Sequence, residues 1–169
     1  QAVGGGVDLG NLPTGGIESI EIYRGAVPAR FGGNSIGGIV HIRTRKTGGA
    51  DQLRVRATTG SFGSRQLSGS ASGSWGQVNY LGVVDYSGSR NNFTFLDDNG
   101  TAYNAADDEW TRRLNSDFGS IRVLAKAAGD RGAARLQVRS TFDLKHQGIP
   151  GIGNYQAGHV RFDAWRHTT

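Results

Sequence analysis

Five carboxylates crowd one stretch of the chain, in Asp97-Asp98-Asn99-Gly100 and then Asp107-Asp108-Glu109. Hard cations take several oxygen ligands, so Asp97, Asp98, Asp107, Asp108 and Glu109 are candidate ligands for calcium. The spacing of a calcium-binding hand is absent, because Phe95 stands two residues before Asp97 and no Glu occupies the closing position. The plain alternative is a solvated acidic loop. His41, His146, His159 and His167 lie far apart, with no His-Glu-x-x-His pair to put two ligands on one helix face, and read as surface or lumen residues. Gly69-Ser70-Ala71-Ser72-Gly73 has the frame of a nucleophile elbow but carries Ala71 where the serine must stand. No Gly-x-Gly-x-x-Gly follows a strand, and the phosphate-loop lysine is missing. No catalytic residue is expected, no enzyme, and no cofactor beyond the calcium just weighed.

Composition narrows what could carry these residues. Glycine makes up 28 of 169 residues, more than twice the usual ~7%, with only three prolines and no collagen repeat. Glycine must therefore serve backbone geometry. The longest apolar runs, such as Leu81-Gly82-Val83-Val84, fall far below the ~18 residues of a membrane helix. Transmembrane barrel strands stay possible, since they alternate apolar and polar residues and keep hydropathy low. The absence of cysteine excludes a disulfide framework and thiolate chemistry without fixing a compartment. The net charge of +5 is spread along the chain, and no basic run exceeds Arg43-Thr44-Arg45-Lys46, so nucleic acid is not an expected partner.

Residues 1–46 differ in texture from the rest. Leu12-Pro13-Thr14 predicts the start of a short helix, and Ser19 to Tyr23 alternates as a strand. Val27 to Phe31 has room for one helical turn, and Gly38 to Thr44 predicts a second strand. Residues 47–52, rich in glycine, form a linker and a boundary.

From Leu53 the period is two almost throughout, and the segments are longer than globular strands usually are. Ala134 to Lys145 is the clearest case. Ala134, Leu136, Val138, Ser140, Phe142 and Leu144 share one face, and Arg135, Gln137, Arg139, Thr141, Asp143 and Lys145 the other. Twelve residues at ~3.3 Å span ~40 Å, enough to cross a ~25 Å apolar band at a ~45° tilt. Similar patterns set Leu53, Val55 and Ala57 against Arg54, Arg56 and Thr58, and Leu67 to Trp75 against Ser68 to Ser74. Val78, Tyr80, Val84 and Tyr86 share a face in the next segment. A strand near Asn115 to Lys126 alternates poorly, and Val160, Phe162 and Ala164 oppose Arg161 and Asp163. Six strands are thus predicted over residues 53–169. Their connections alternate: 75–77 and 129–132 are tight, whereas 90–113 and 147–157 are long, as in outer-membrane barrels. Trp75, Tyr80, Tyr86, Trp110, Phe142 and Trp165 fall near several strand ends, where interfacial aromatics gather. A soluble antiparallel sheet also alternates, though strands of this length are unusual in one.

The run Ile17-Glu18-Ser19-Ile20-Glu21-Ile22-Tyr23-Arg24-Gly25-Ala26, then Ala29-Arg30-Phe31-Gly32, then Ile36-Gly37-Gly38 through Thr44, resembles the end of the plug domain of TonB-dependent receptors. An apolar-acidic strand ends in Arg-Gly, a small-residue turn carries an aromatic-Gly, and a Gly-Gly-apolar strand closes on threonine. Order and spacing agree over about thirty residues, far more than a short motif offers. The resemblance marks Arg24, Gly25, Phe31, Gly32, Gly37 and Gly38 as the plug motif.

It implies that residues 1–46 are the carboxy-terminal part of an α+β plug, and that residues 53–169 are the first strands of a transmembrane β-barrel of twenty-two. It implies a place in the bacterial outer membrane, lipid around the wall, a ligand bound outside, and energy delivered by the TonB protein. The ligand would be a scarce chelate such as a ferric siderophore or cobalamin, contacted from the loops 90–113 and 147–157. Arg24 would pair with wall carboxylates or only cap its turn. The chain reads as a segment, without the TonB box, the first half of the plug or the remaining strands. A passive porin or adhesin-type barrel, or a soluble β-sandwich binding module, are the alternatives; the first would have no plug.

Overall fold

The structure is a computed structural model describing residues 14–25, 28–32, 37–101, 103–153 and 155–169. It is mainly β, and every sheet in it is antiparallel. Strand β1 (Ile17–Arg24) pairs with β2 (Gly38–Thr44) as a separate hairpin. A six-stranded sheet follows, built from β3 (Gln52–Thr59), β4 (Arg65–Trp75), β5 (Val78–Ser89), β8 (Phe118–Arg131), β9 (Ala134–Gly148) and β10 (Arg161–Thr168), neighbours in that order. Between β5 and β8 the chain makes a small hairpin of its own, β6 (Thr94–Asp97) against β7 (Glu109–Arg112). The sequence reading missed this hairpin, whose four-residue strands are too short to show a period.

The predicted strand at Gly38 to Thr44 agrees with β2 to the residue, and all six predicted wall strands are present. The first predicted helix is a 3-10 turn at Thr14–Gly16, with Leu12 and Pro13 outside the described residues. The second is a 3-10 turn at Ala29–Phe31, and Val27 also lies outside them. No α-helix occurs among the described residues. The tight turn expected at 129–132 is displaced: β8 runs on to Arg131, and Gly132-Ala133 make the turn, with Gly132 at φ +63°.

Register resolves the two faces of the six-stranded sheet. Residues paired across strands share a face, so Arg56, Ser68, Asp85, Arg122, Asp143 and Arg166 form one transverse row. The row below is Arg54, Ser70, Val83, Leu124, Thr141 and Thr168. This face is polar around a small apolar patch, in which Leu81, Val83 and Leu124 are each 1% exposed. The opposite face carries Leu53, Val55, Leu67, Val84, Tyr86, Ile121, Leu136, Val138, Phe142, Leu144 and Trp165, all of them exposed. Leu53 is 77% and Leu136 72% exposed, which inverts the arrangement of a sheet folded in water.

One assignment is overturned. Phe162 pairs with Gln147 and Ala164 with Lys145, so both belong to the polar face, and Asp163, Trp165 and His167 take the apolar side. Alternation alone cannot say which parity faces which way. At this end of the sheet Arg161 and Asp163 are spent on polar partners at the rim, and Trp165 is the first apolar residue below them. The poor alternation of β8 also has a cause: Ser120, Arg122, Leu124, Lys126 and Ala128 share its inward face, and Leu124 lies beneath the amino-terminal hairpin.

Candidate functional site

Two places gather side chains for a purpose other than closing the sheet. The first is where the amino-terminal hairpin rests on the polar face. Gly15 and Gly16 lie flush on the wall: a Cβ on Gly15 would stand 2.6 Å from Ser68 Oγ, and one on Gly16 would stand 2.9 Å from Leu124 Cδ2. Only glycine allows the backbone this close. Arg45 then ties the hairpin's end to its beginning and to the wall. Its amide donates to Gly16 O at 2.8 Å, and its guanidinium donates to Gly15 O and Ser70 Oγ, each at 3.2 Å. Lys126, buried on β8, donates to Arg45 O at 3.0 Å and to Thr44 Oγ1. Arg139 pairs directly with Lys126 in the register, so two cations stand side by side and Lys126 depends on these acceptors. Asp85 Oδ2 is buried nearby without a hydrogen-bond partner among the described residues.

The predicted motif residues organise the hairpin itself. Phe31 folds back onto the strands, its ring centroid 5.4 Å from that of Tyr23 and 4.9 Å from that of His41. Arg30 covers the Phe31 ring at 4.8 Å and donates to Tyr23 Oη at 2.7 Å, and Tyr23 donates in turn to Glu21 Oε2 at 2.7 Å. That hydrogen bond, with a second from His41, holds the Glu21 carboxyl below its ordinary range. Gly38 has φ +142°, and a Cβ there would stand 2.4 Å from Tyr23 O, so the strand can start only with glycine. Gly25, Gly32 and Gly37 also have positive φ. Arg24 ends β1 exposed, opposite Gly38, with no ion pair among the described residues.

The second place is the end of the sheet that bears the long connections. Arg113 stacks over Phe95 at 5.4 Å and donates to Gly151 O at 2.5 Å and Gly153 O at 2.9 Å. Gln156 accepts from Leu114 N–H at 2.7 Å and donates to Arg112 O at 3.2 Å. These bonds stitch the two long loops into one surface. Beneath, Phe62, Phe93 and Phe95 make successive edge contacts with centroids 6.2 Å apart. Above, Tyr103, Trp110, Ile152 and Tyr155 stand largely exposed. Sequence reasoning marked both loops but not the stitching, which joins residues about forty positions apart.

The acidic candidates lie on the β6–β7 hairpin and its loop, and three of them are occupied locally. Asp97 accepts from Asn99 N–H, Asp98 from Gly100 N–H, and Asp107 from Thr101 Oγ1, while Glu109 stands opposite Asp97 in the strand register. Among the described residues no three Asp, Glu or His side chains are grouped as a metal ion requires. The four histidines are likewise apart: His41 is in the hairpin, His159 is in the connection before β10, and His146 and His167 lie on neighbouring strands of the large sheet.

Over 73 residues, 43% of the chain, the sequence is 40% identical to the vitamin B12 transporter BtuB of Photobacterium profundum. Over 44 residues, 26% of the chain, it is 46% identical to the vitamin B12 transporter BtuB of Vibrio vulnificus. These stretches are 12% and 7% of the two transporters, so the chain spans only a small part of the length of the relatives it matches. No protein-family model and no solved structure matches the chain. Its partial likeness is thus to vitamin B12 transporters, and it accompanies a sheet that turns its apolar face outward.

Proposed function

We propose that this chain is the end of the plug and the first six wall strands of a TonB-dependent transporter, which takes up a scarce chelate across the bacterial outer membrane. A cobalamin-like ligand is the first choice, because both relatives named above are vitamin B12 transporters; a ferric siderophore is the second. The observation that carries the reading is the inverted sheet. Its apolar face is bare, and its polar face is the one the amino-terminal hairpin covers. A wall between lipid and a plugged, polar lumen needs this arrangement, whereas a sandwich module needs the reverse. Among the described residues β3 and β10 are open edges, which lipid does not tolerate; in this reading further strands close the wall.

In this reading residues 14–46 hold the plug to the inner wall through Gly15, Gly16, Arg45 and Lys126. The exposed aromatics Tyr103, Trp110 and Tyr155 on the stitched loops meet the ligand outside, as loop residues on a rigid scaffold commonly do. Arg24, unpaired among the described residues, faces wall carboxylates on strands outside this chain. The test is uptake of labelled cyanocobalamin and of ferric citrate by cells expressing the full-length protein, with and without a functional TonB. Accumulation of either that vanishes without TonB is the expected result. Passive entry in both strains would mark an open pore and overturn the reading.

A further inference from the structure

The base of the 149–160 loop is closed by a chain of polar side chains at the rim. Arg161 donates to both oxygens of Asp117, at 2.8 and 2.7 Å, and to Asn115 Oδ1 at 3.1 Å. Asn115 Nδ2 donates to Ile149 O and Val160 O, the two ends of the loop. Backbone bonds from Gly148 N–H to Asp117 O and from Ile149 N–H to Val160 O complete the closure. On its other side Arg161 meets His146 Nε2, and His146 Nδ1 meets Asp163 Oδ1.

A guanidinium can only donate, so Nε2 is assigned as the acceptor of Arg161 in this arrangement, which directs the Nδ1 proton at Asp163. We infer that His146 is an acid-sensitive buttress of the Arg161 clamp, so that protonation at Nε2 loosens the base of the 149–160 loop. A proton there sets two donors and two positive charges face to face and turns the ring toward Asp163 alone. The charged groups that face His146 are Asp163 and Arg161 on β10 and Asp117 ahead of β8; Gly119, opposite it on β8, brings none. Lys145 and Asp143 project from the other face of β9.

Asp117 does not blur the outcome. The Arg161 hydrogen bonds lower its carboxyl, so its contribution is complete above the ordinary carboxylate value and is lost only when pH falls below that range. Loosening between pH 7.5 and 5.5 is therefore not due to Asp117, and the His146→Gln variant decides whether it is due to His146.

The experiment is amide hydrogen exchange on the full-length protein in lipid nanodiscs at pH 7.5 and 5.5, corrected for intrinsic rates. In the wild type the amides of Gly148 and Ile149 should exchange about fivefold faster at pH 5.5, as the loss of one hydrogen bond entails. His146→Gln keeps an acceptor without a titrating charge and should remove the pH response. A wild-type loop equally protected at both pH values overturns the inference, as does a response that persists in His146→Gln. Neither outcome bears on uptake, so the transport reading stands or falls separately.

Discussion

The two faces of the six-stranded sheet obey opposite rules, though they alternate along the same strands. On the inward face one row of charges is arranged by sign, although Lys126 and Arg139 stand together lower down. The row Arg56, Asp85, Arg122, Asp143 and Arg166 alternates across the sheet, and Arg122 Nε stands 3.4 Å from Asp143 Oδ1. The outward face carries no charge from Leu53 to Ala57 on β3, or between Ile121 and Ala127 on β8. Charge reappears there toward the strand ends, as with Arg65 on β4 and Arg161 and Asp163 on β10. The difference is the one that a wall between a polar lumen and hydrocarbon requires.

The most direct way to break this contrast is to place a charge in the middle of the outward face. Ala125 is exposed there and lines a shallow apolar groove with Leu53, Gly69, Ala71, Gly82 and Val84. Ala125→Arg should destabilise the full-length protein folded in vesicles by about 2–4 kcal/mol, the cost of a basic side chain near the bilayer midplane. Gln137→Arg, on the inward face, should change stability by less than about 0.5 kcal/mol. Urea titrations of both variants measure the difference. Equal, small effects would mean that the outward face meets water.

A smaller effect is expected on the inward face at the patch beneath the hairpin. Leu124→Ala should cost about 2–3 kcal/mol, a buried leucine lost with partial collapse of its cavity. Gly16→Ala should cost about 1–2 kcal/mol by forcing its Cβ against Leu124 Cδ2, and most of that cost should vanish when Leu124 is already alanine. Additive costs in the double mutant would show that the hairpin does not rest on this patch.

The outward face was the more legible of the two in the sequence, because one rule, an apolar residue at every second position, holds along most of it. Ala134 to Lys145 displays it in full, and the number, length and order of the wall strands followed. The inward face was legible only as polarity. Nothing in the spacing of Gly15, Arg45, Ser70 and Lys126 shows that they meet, since they come from three separate elements. β10 failed for a related reason: its apolar residues Phe162 and Ala164 look like a lipid face until the pairing with β9 fixes their parity. Of the motif in residues 17–44, the backbone roles of Gly25, Gly32, Gly37 and Gly38 could be read, because positive φ leaves few alternatives to glycine. The packing of Phe31 between Tyr23 and His41 could not be read, because it depends on how the turn folds back.

The finest distinction between the faces lies at the rim, where outward charges are tolerated because they are paired and sit beyond the apolar band. Asp117→Asn removes the bidentate partner of Arg161 but leaves Asn115 and His146 to hold it. Asp117 and Arg161 are both partly exposed, so solvent screening keeps the loss to roughly 0.5–1 kcal/mol. The sign follows from the carboxyl being held below its ordinary value. The wild type should keep this contribution at every pH above the usual carboxylate range and lose it only below, whereas the variant lacks it throughout. Stability of wild type and Asp117→Asn should therefore differ by a constant amount from pH 8 down to about 5 and converge toward pH 2, the pH-dependent part being set by this one carboxyl. Convergence already at pH 6 would overturn this assignment, because His146 is present in both proteins and cancels from their difference, so the carboxyl of Asp117 would not be the group that sets it.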